Sequence, residues 1–106
     1  MSSSTVDVAV FAALGDATRW AILQRLGREA ASASALAEEL PVSRQAIVKH
    51  VRVLERAGLV TAERHGREVR FAALGAPLSQ AARRLEKIGS AWEARLARLK
   101  AGAERE

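Results

Sequence analysis

The 106 residues fit one domain with a single modest core, and 49% hydrophobic against 27% charged residues excludes a disordered chain. The absence of cysteine excludes disulfides, thiolate metal sites and cysteine nucleophiles. A net charge of +5 favours an acidic partner.

The first helix is predicted from Val6, Val10, Phe11 and Leu14 at helical spacing, with Gly15 as a left-handed C-cap. Asp16 is placed to N-cap a second helix through Ile22, Leu23 and Leu26, closed by Gly27. Ser32 or Ser34 can cap a short third helix, "ALAEEL", which Pro41 stops.

Ser43 can cap a fourth helix whose inward residues are Ile47, Val51 and Leu54. On its other side Gln45, Lys49, Arg52 and Arg56 share an arc of about 60°. Gly58 ends that helix. The strands "LVTAER" and "EVRFAA" follow with "HG" at the bend, where Gly66 can take a positive φ. Val69 and Phe71 should point one way, Glu68 and Arg70 the other.

A long last helix is predicted from Pro77, a favourable first-turn residue. Leu78, Ala82, Leu85, Ile88, Trp92, Leu96 and Leu99 give it one apolar stripe. Gly89 interrupts that stripe, which calls for a bend or for a close neighbouring backbone.

Charge sharpens this outline. Residues 1–42 carry three Arg against five acids, residues 43–70 seven Lys or Arg against three, and residues 71–106 seven against four. The basic excess therefore begins at the fourth helix. No apolar run approaches membrane-spanning length, and "MSSSTVDV" lacks the basic-then-apolar layout of a signal peptide. A cytoplasmic location without a membrane partner is expected.

Helix, helix, short helix, turn, polar-faced helix and basic hairpin is the layout of a winged helix-turn-helix. The fold class is mainly α with a β-hairpin wing and about five helices. An α-helix fits the major groove with its N-terminal residues at base edges. Arg44 suits guanine, Gln45 adenine and Ala46 a thymine methyl, while Lys49 and Arg52 suit phosphates. The DNA-binding set is Ser43, Arg44, Gln45, Ala46, Lys49, His50 and Arg52, with Arg64, Arg67 and Arg70 from the wing. For His50, packing against a neighbouring helix is an equal alternative. His65 reads as a plain turn residue, and Trp20 as core or a small contact between copies.

"ALGDATRWAILQRL", "LAEELPVSRQAIVKHVRVLERAGLV" and "ERHGREVRFAAL" together resemble the ArsR/SmtB family of bacterial transcriptional repressors. The resemblance implies a homodimer, built from the first and last helices, on a partly palindromic double-stranded DNA operator. Val48 stands where many members carry Ser. The family's metal sensors use Cys in the third helix or Asp, His and Glu on the last. This chain has no Cys, and its last helix has no His, so no metal or other cofactor is expected. It resembles a metal-independent branch with Trp-x-x-Arg-Leu, here Trp92 to Leu96.

The expected division of the single domain, 1–106, is a helix-turn-helix core with wing over 5–74 and a dimerisation helix over 77–101. The dimer set is Val10, Phe11, Leu14, Leu78, Leu85, Ile88, Trp92, Leu96 and Leu99. A partner helix is favoured for the stripe because one small domain has little core to cover it.

No Ser-His-Asp set, phosphate loop or paired carboxylates stands out, which argues against an enzyme. Two other classes stay open. One is a sensor whose effector sits at the dimer interface. The other is a winged-helix module binding protein or RNA.

Overall fold

A computed structural model describes the backbone of residues 3–104 and the side chains of residues 8–103. The expectation for the Val6 side chain therefore lies outside the described residues. In chain order the elements are α1 (Ser3–Leu14), α2 (Ala17–Leu26), β1 (Ala31–Ser32), α3 (Ala33–Glu39) and α4 (Arg44–Arg56). Then come β2 (Val60–His65), β3 (Glu68–Ala73) and α5 (Gly75–Glu104). This is a winged helix-turn-helix.

Local chemistry sets most boundaries. The Asp16 carboxylate accepts the Arg19 backbone N–H at 3.0 Å and opens α2. Ser32 performs the same task for α3, accepting from the Ala35 N–H at 3.1 Å. That settles the choice between Ser32 and Ser34. Leu40 ends α3, and the Val42 N–H then donates to the Leu40 carbonyl at 2.8 Å across Pro41. Proline's fixed φ suits the centre of such a three-residue turn. Ser43 opens α4 by accepting from the Ala46 N–H at 3.1 Å.

Gly58 sits at φ +79° just beyond α4. Its N–H donates to the Glu55 carbonyl and the Leu59 N–H to the Leu54 carbonyl, both at 3.0 Å. This paired reversal satisfies carbonyls that the helix end would leave orphaned. Gly15 differs from expectation, since Gly58 and Gly66 are the glycines with positive φ. Gly27 does close α2, but in right-handed conformation, φ −64°. Neither turn contains a left-handed residue.

The core gathers Val10 and Ala13 of α1, Ile22, Leu23 and Leu26 of α2, and Leu36 of α3. Ile47, Val51 and Leu54 of α4 join them, with Leu59 and Val60 at the root of the wing. The three α4 residues are fully buried. Each such side chain contributes about 1.5–3 kcal/mol over leaving it in water, which fixes the inward face of α4. Its opposite face is left in solvent.

The sheet has the order β1-β3-β2, antiparallel throughout. Sequence inspection supplies the β2–β3 hairpin and misses β1. At two residues β1 is too short to show an alternating pattern. It pairs Ala31 with Phe71 and Ser32 with Arg70, joining the wing to the segment before α3. The bend is Gly66-Arg67 rather than "HG", because His65 belongs to β2 and pairs with Glu68. Gly66 has φ +66° and Arg67 lacks a positive φ. That sign pattern marks a two-residue type II′ turn, which needs Gly at its first central position.

Helix α5 starts two residues before Pro77 and is continuous through Gly89. Leu78 and Ala81 engage the core, and every described residue after Ala81 is exposed. A Cβ on Gly89 would meet nothing within 4 Å, so no backbone of its own chain approaches there. The molecule measures 69 Å along its long axis, and the 30 residues of α5 span about 45 Å.

Candidate nucleic-acid interface

The cap on Ser43 starts α4 in open solvent. Arg44 and Gln45 in its first turn are exposed, as are Lys49 and Arg52 further along. Ala46 and Val48 are half-buried. The same periodicity that buries Ile47, Val51 and Leu54 turns these polar residues outward.

An open groove of about 630 Å³ separates this face from the wing. Arg44, Val48 and Arg52 line one side, and Arg67, Val69 and Phe71 the other. Glu55 and Glu68 also border it.

The wing carries its charges on two faces. Directly opposed residues share a face, so Arg64 lies with its partner Val69, and Val69 with Phe71 two residues on. Phe71 packs against the core, which places Arg64 on the α4 side of the wing. Arg67 occupies the exposed tip. Arg70 takes the face that strand alternation predicts, away from Arg64. It lies on the other face with Glu63 and Glu68, and its guanidinium meets the Glu68 carboxylate at 3.3 Å. The pleat puts residues 68 and 70 on one side, so acid and base two apart neutralise each other.

His50 follows the packing alternative of its two readings. It is half-buried and turns toward α2, with Nδ1 3.4 Å from Arg19 Nη1 and 3.9 Å from the Asp16 carboxylate. Its position on α4 lies between the inward stripe and the polar arc, and α2 covers that flank. It is therefore a packing residue. Arg19 ties the neighbourhood together, since its Nε donates to the Ala13 carbonyl at 2.6 Å at the end of α1. The Arg19 backbone N–H holds the Asp16 carboxyl below its usual range; desolvation opposes this, and the His50 and Arg19 charges reinforce it. Sequence inspection found the Asp16-Ala17-Thr18-Arg19 run but gave Arg19 no task. Nothing in a one-dimensional pattern reveals that its side chain reaches back to α1.

On α5, Leu85, Ile88, Trp92, Leu96 and Leu99 are each more than half exposed. Arg95 lies over the Trp92 ring at 5.1 Å, a cation–π contact on the outer surface. Phe11, Leu14 and Leu78 are half-buried against the core. Val10 differs, being 0% exposed. It is a core residue of its own chain and has no surface to offer another. Trp20 is 50% exposed, so it is not core.

Among the described residues no three His, Cys, Asp or Glu side chains gather as a metal site would require. No described helix is long and apolar enough to cross a membrane.

Comparison with known proteins places this geometry. The family described as "Helix-turn-helix domain" matches residues 14–63. The solved ArsR-like transcriptional regulator from Rhodococcus sp. RHA1 is 54% identical, with 92% of each chain covered and a TM-score of 0.81. The chain belongs to the ArsR-like family of winged helix-turn-helix transcriptional regulators. An uncharacterized HTH-type transcriptional regulator of Bacillus subtilis, YuzN, is 44% identical over 66 residues, 56% of this chain and 72% of that protein. A homodimeric winged helix-turn-helix DNA-binding domain from Mycobacterium bovis shares the fold at 21% identity and a TM-score of 0.65. That alignment covers 84% of this chain and 80% of the other. The ArsR-like family is not enzymatic. In its terms, α3 and α4 are the helix-turn-helix and β2–β3 the wing.

Proposed function

We propose that this ArsR-like protein is a cytoplasmic homodimeric repressor that binds a palindromic operator without a metal switch. The observation that carries the proposal is the bare N-terminal face of α4 across a groove from a wing whose Arg67 lines that groove and whose Arg64 shares a face with the groove residue Val69. Arg44 reads guanine, Gln45 adenine and Ala46 a thymine methyl, while Lys49 and Arg52 meet phosphates. Ser43 acts through its cap, which fixes where α4 begins. Arg64 and Arg67 bring the wing to the backbone or the minor groove. His50 and Arg70 take no part.

The second copy covers the α5 stripe from Leu85 to Leu99, together with the half-buried Phe11, Leu14 and Leu78. The Mycobacterium bovis domain, itself a homodimer, supports only that this fold can form dimers. The absence of cysteine and the location of both histidines, on α4 and the wing, support the reading without a metal switch.

Selection from a random duplex pool tests the reading. The expected product is an inverted repeat with half-sites about 34–36 Å apart. Arg44→Ala should cost roughly 1–3 kcal/mol at one base pair per half-site. Zinc, nickel or arsenite should leave the complex intact. A pool with no preferred sequence overturns the operator reading, and stoichiometric release by a metal overturns the metal-independent one.

A further inference from the structure

The "SAS" run, Ser32 to Ser34, places two hydroxyls two residues apart at the start of α3. Ser32 is occupied as the helix cap. Ser34, exposed on the first turn, reaches across the helix-turn-helix instead. Its Oγ accepts from Nε of Arg44 at 3.1 Å.

We infer that Ser34 is a positioning residue that decides which edge of the Arg44 guanidinium faces a base. The inference rests on the operator reading proposed above. A guanidinium has five N–H donors, one on Nε and two on each terminal nitrogen. It can grip guanine O6 and N7 with its two terminal nitrogens, or side-on with Nε and one of them. With Nε committed to Ser34, the end-on fork is the pair left free. The hydrogen bond also restrains a long side chain before DNA arrives. Ordering such a long side chain on binding has an entropic cost, and restraint in advance removes part of it. Ser34 and Arg44 line the same groove as Arg52 and Arg67, so the restrained fork sits where a duplex would enter.

The test compares wild type, Ser34→Ala and Ser34→Thr. Each binds the selected operator, an operator changed at the guanine assigned to Arg44, and an unrelated duplex, at several salt concentrations. In Ser34→Ala the preference for that guanine should fall about fivefold, the worth of one net hydrogen bond. Affinity for the unrelated duplex, its salt slope and the thermal midpoint should hold. Ser34→Thr keeps the hydroxyl and should restore the preference. A Ser34→Ala protein that discriminates as well as wild type overturns the inference and leaves the operator reading standing. A uniform loss on all three duplexes also overturns it, making Ser34 a phosphate contact. A wild-type protein without base preference overturns both.

Discussion

Truncating Trp92 to alanine tests the proposed pairing most directly. In the single chain the residue is 53% exposed and no core packs over it. An aromatic side chain presents about 150–250 Å², so half-exposure leaves roughly 80–130 Å² for a partner to cover. At ~25 cal/mol per Å² that is about 2–3 kcal/mol for each copy. Twofold symmetry counts it twice, giving about 4–6 kcal/mol per dimer and a Kd weakened roughly 10³- to 10⁴-fold. Sedimentation equilibrium across a concentration series reads this directly, with circular dichroism confirming that the helices remain. Operator affinity should fall with it, because a lone protomer brings only one reading helix. A Trp92→Ala protein that stays dimeric at the same concentrations, with operator binding intact, would refute the reasoning and put the seam elsewhere.

Two wing substitutions should separate. Arg67→Ala should weaken binding on every duplex and lower the salt slope by about 2 per dimer, one contact from each wing, whereas Arg70→Ala should change little, as fluorescence anisotropy at graded salt will show. Gly58→Ala should destabilise the fold by about 1–2 kcal/mol in urea denaturation, a backbone cost only, since no atom lies within 4 Å of the added methyl. Asp16 gives a pH signature. Its carboxyl is lowered in the folded state, so its stabilisation is complete above the ordinary carboxylate range and disappears as pH falls through the depressed folded value. Denaturation midpoints of Asp16→Asn should therefore depend less on pH in the acid range than those of wild type.

Sequence legibility followed the range of the forces involved. The caps on Asp16 and Ser43 act within three residues, so their hydroxyl or carboxylate beside an apolar period was enough to place α2 and α4. The inward stripe of α4 was equally plain, because Ile47, Val51 and Leu54 repeat at helical spacing. What escaped was decided between distant segments. Val10 lies at helical spacing with Phe11 and Leu14, and only the packed core shows that it is sealed while they are not. His50 sits at the boundary of two faces, and the approach of α2 determines which it joins. Alternation puts Arg70 and Glu68 on one face, but only the folded strand shows that their side chains meet. Ser34 was seen only as a rival cap, since its reach to Arg44 depends on how α3 crosses α4.

The two-residue strand β1 has a consequence for how fast and how cheaply the wing can be used. An isolated two-stranded hairpin is marginal in water. Left as such, the arm would flutter, and each residue stilled on contact with a partner would forfeit about 1–2 kcal/mol of backbone freedom. The pairing of Ala31 with Phe71 and Ser32 with Arg70 anchors the middle of β3 to the body of the protein. The arm becomes a cantilever with its root clamped, and only the Gly66-Arg67 tip is left to adapt. Arg64 thus arrives already aimed, its ordering cost met during folding rather than at each encounter, while Arg67 keeps the freedom of the tip.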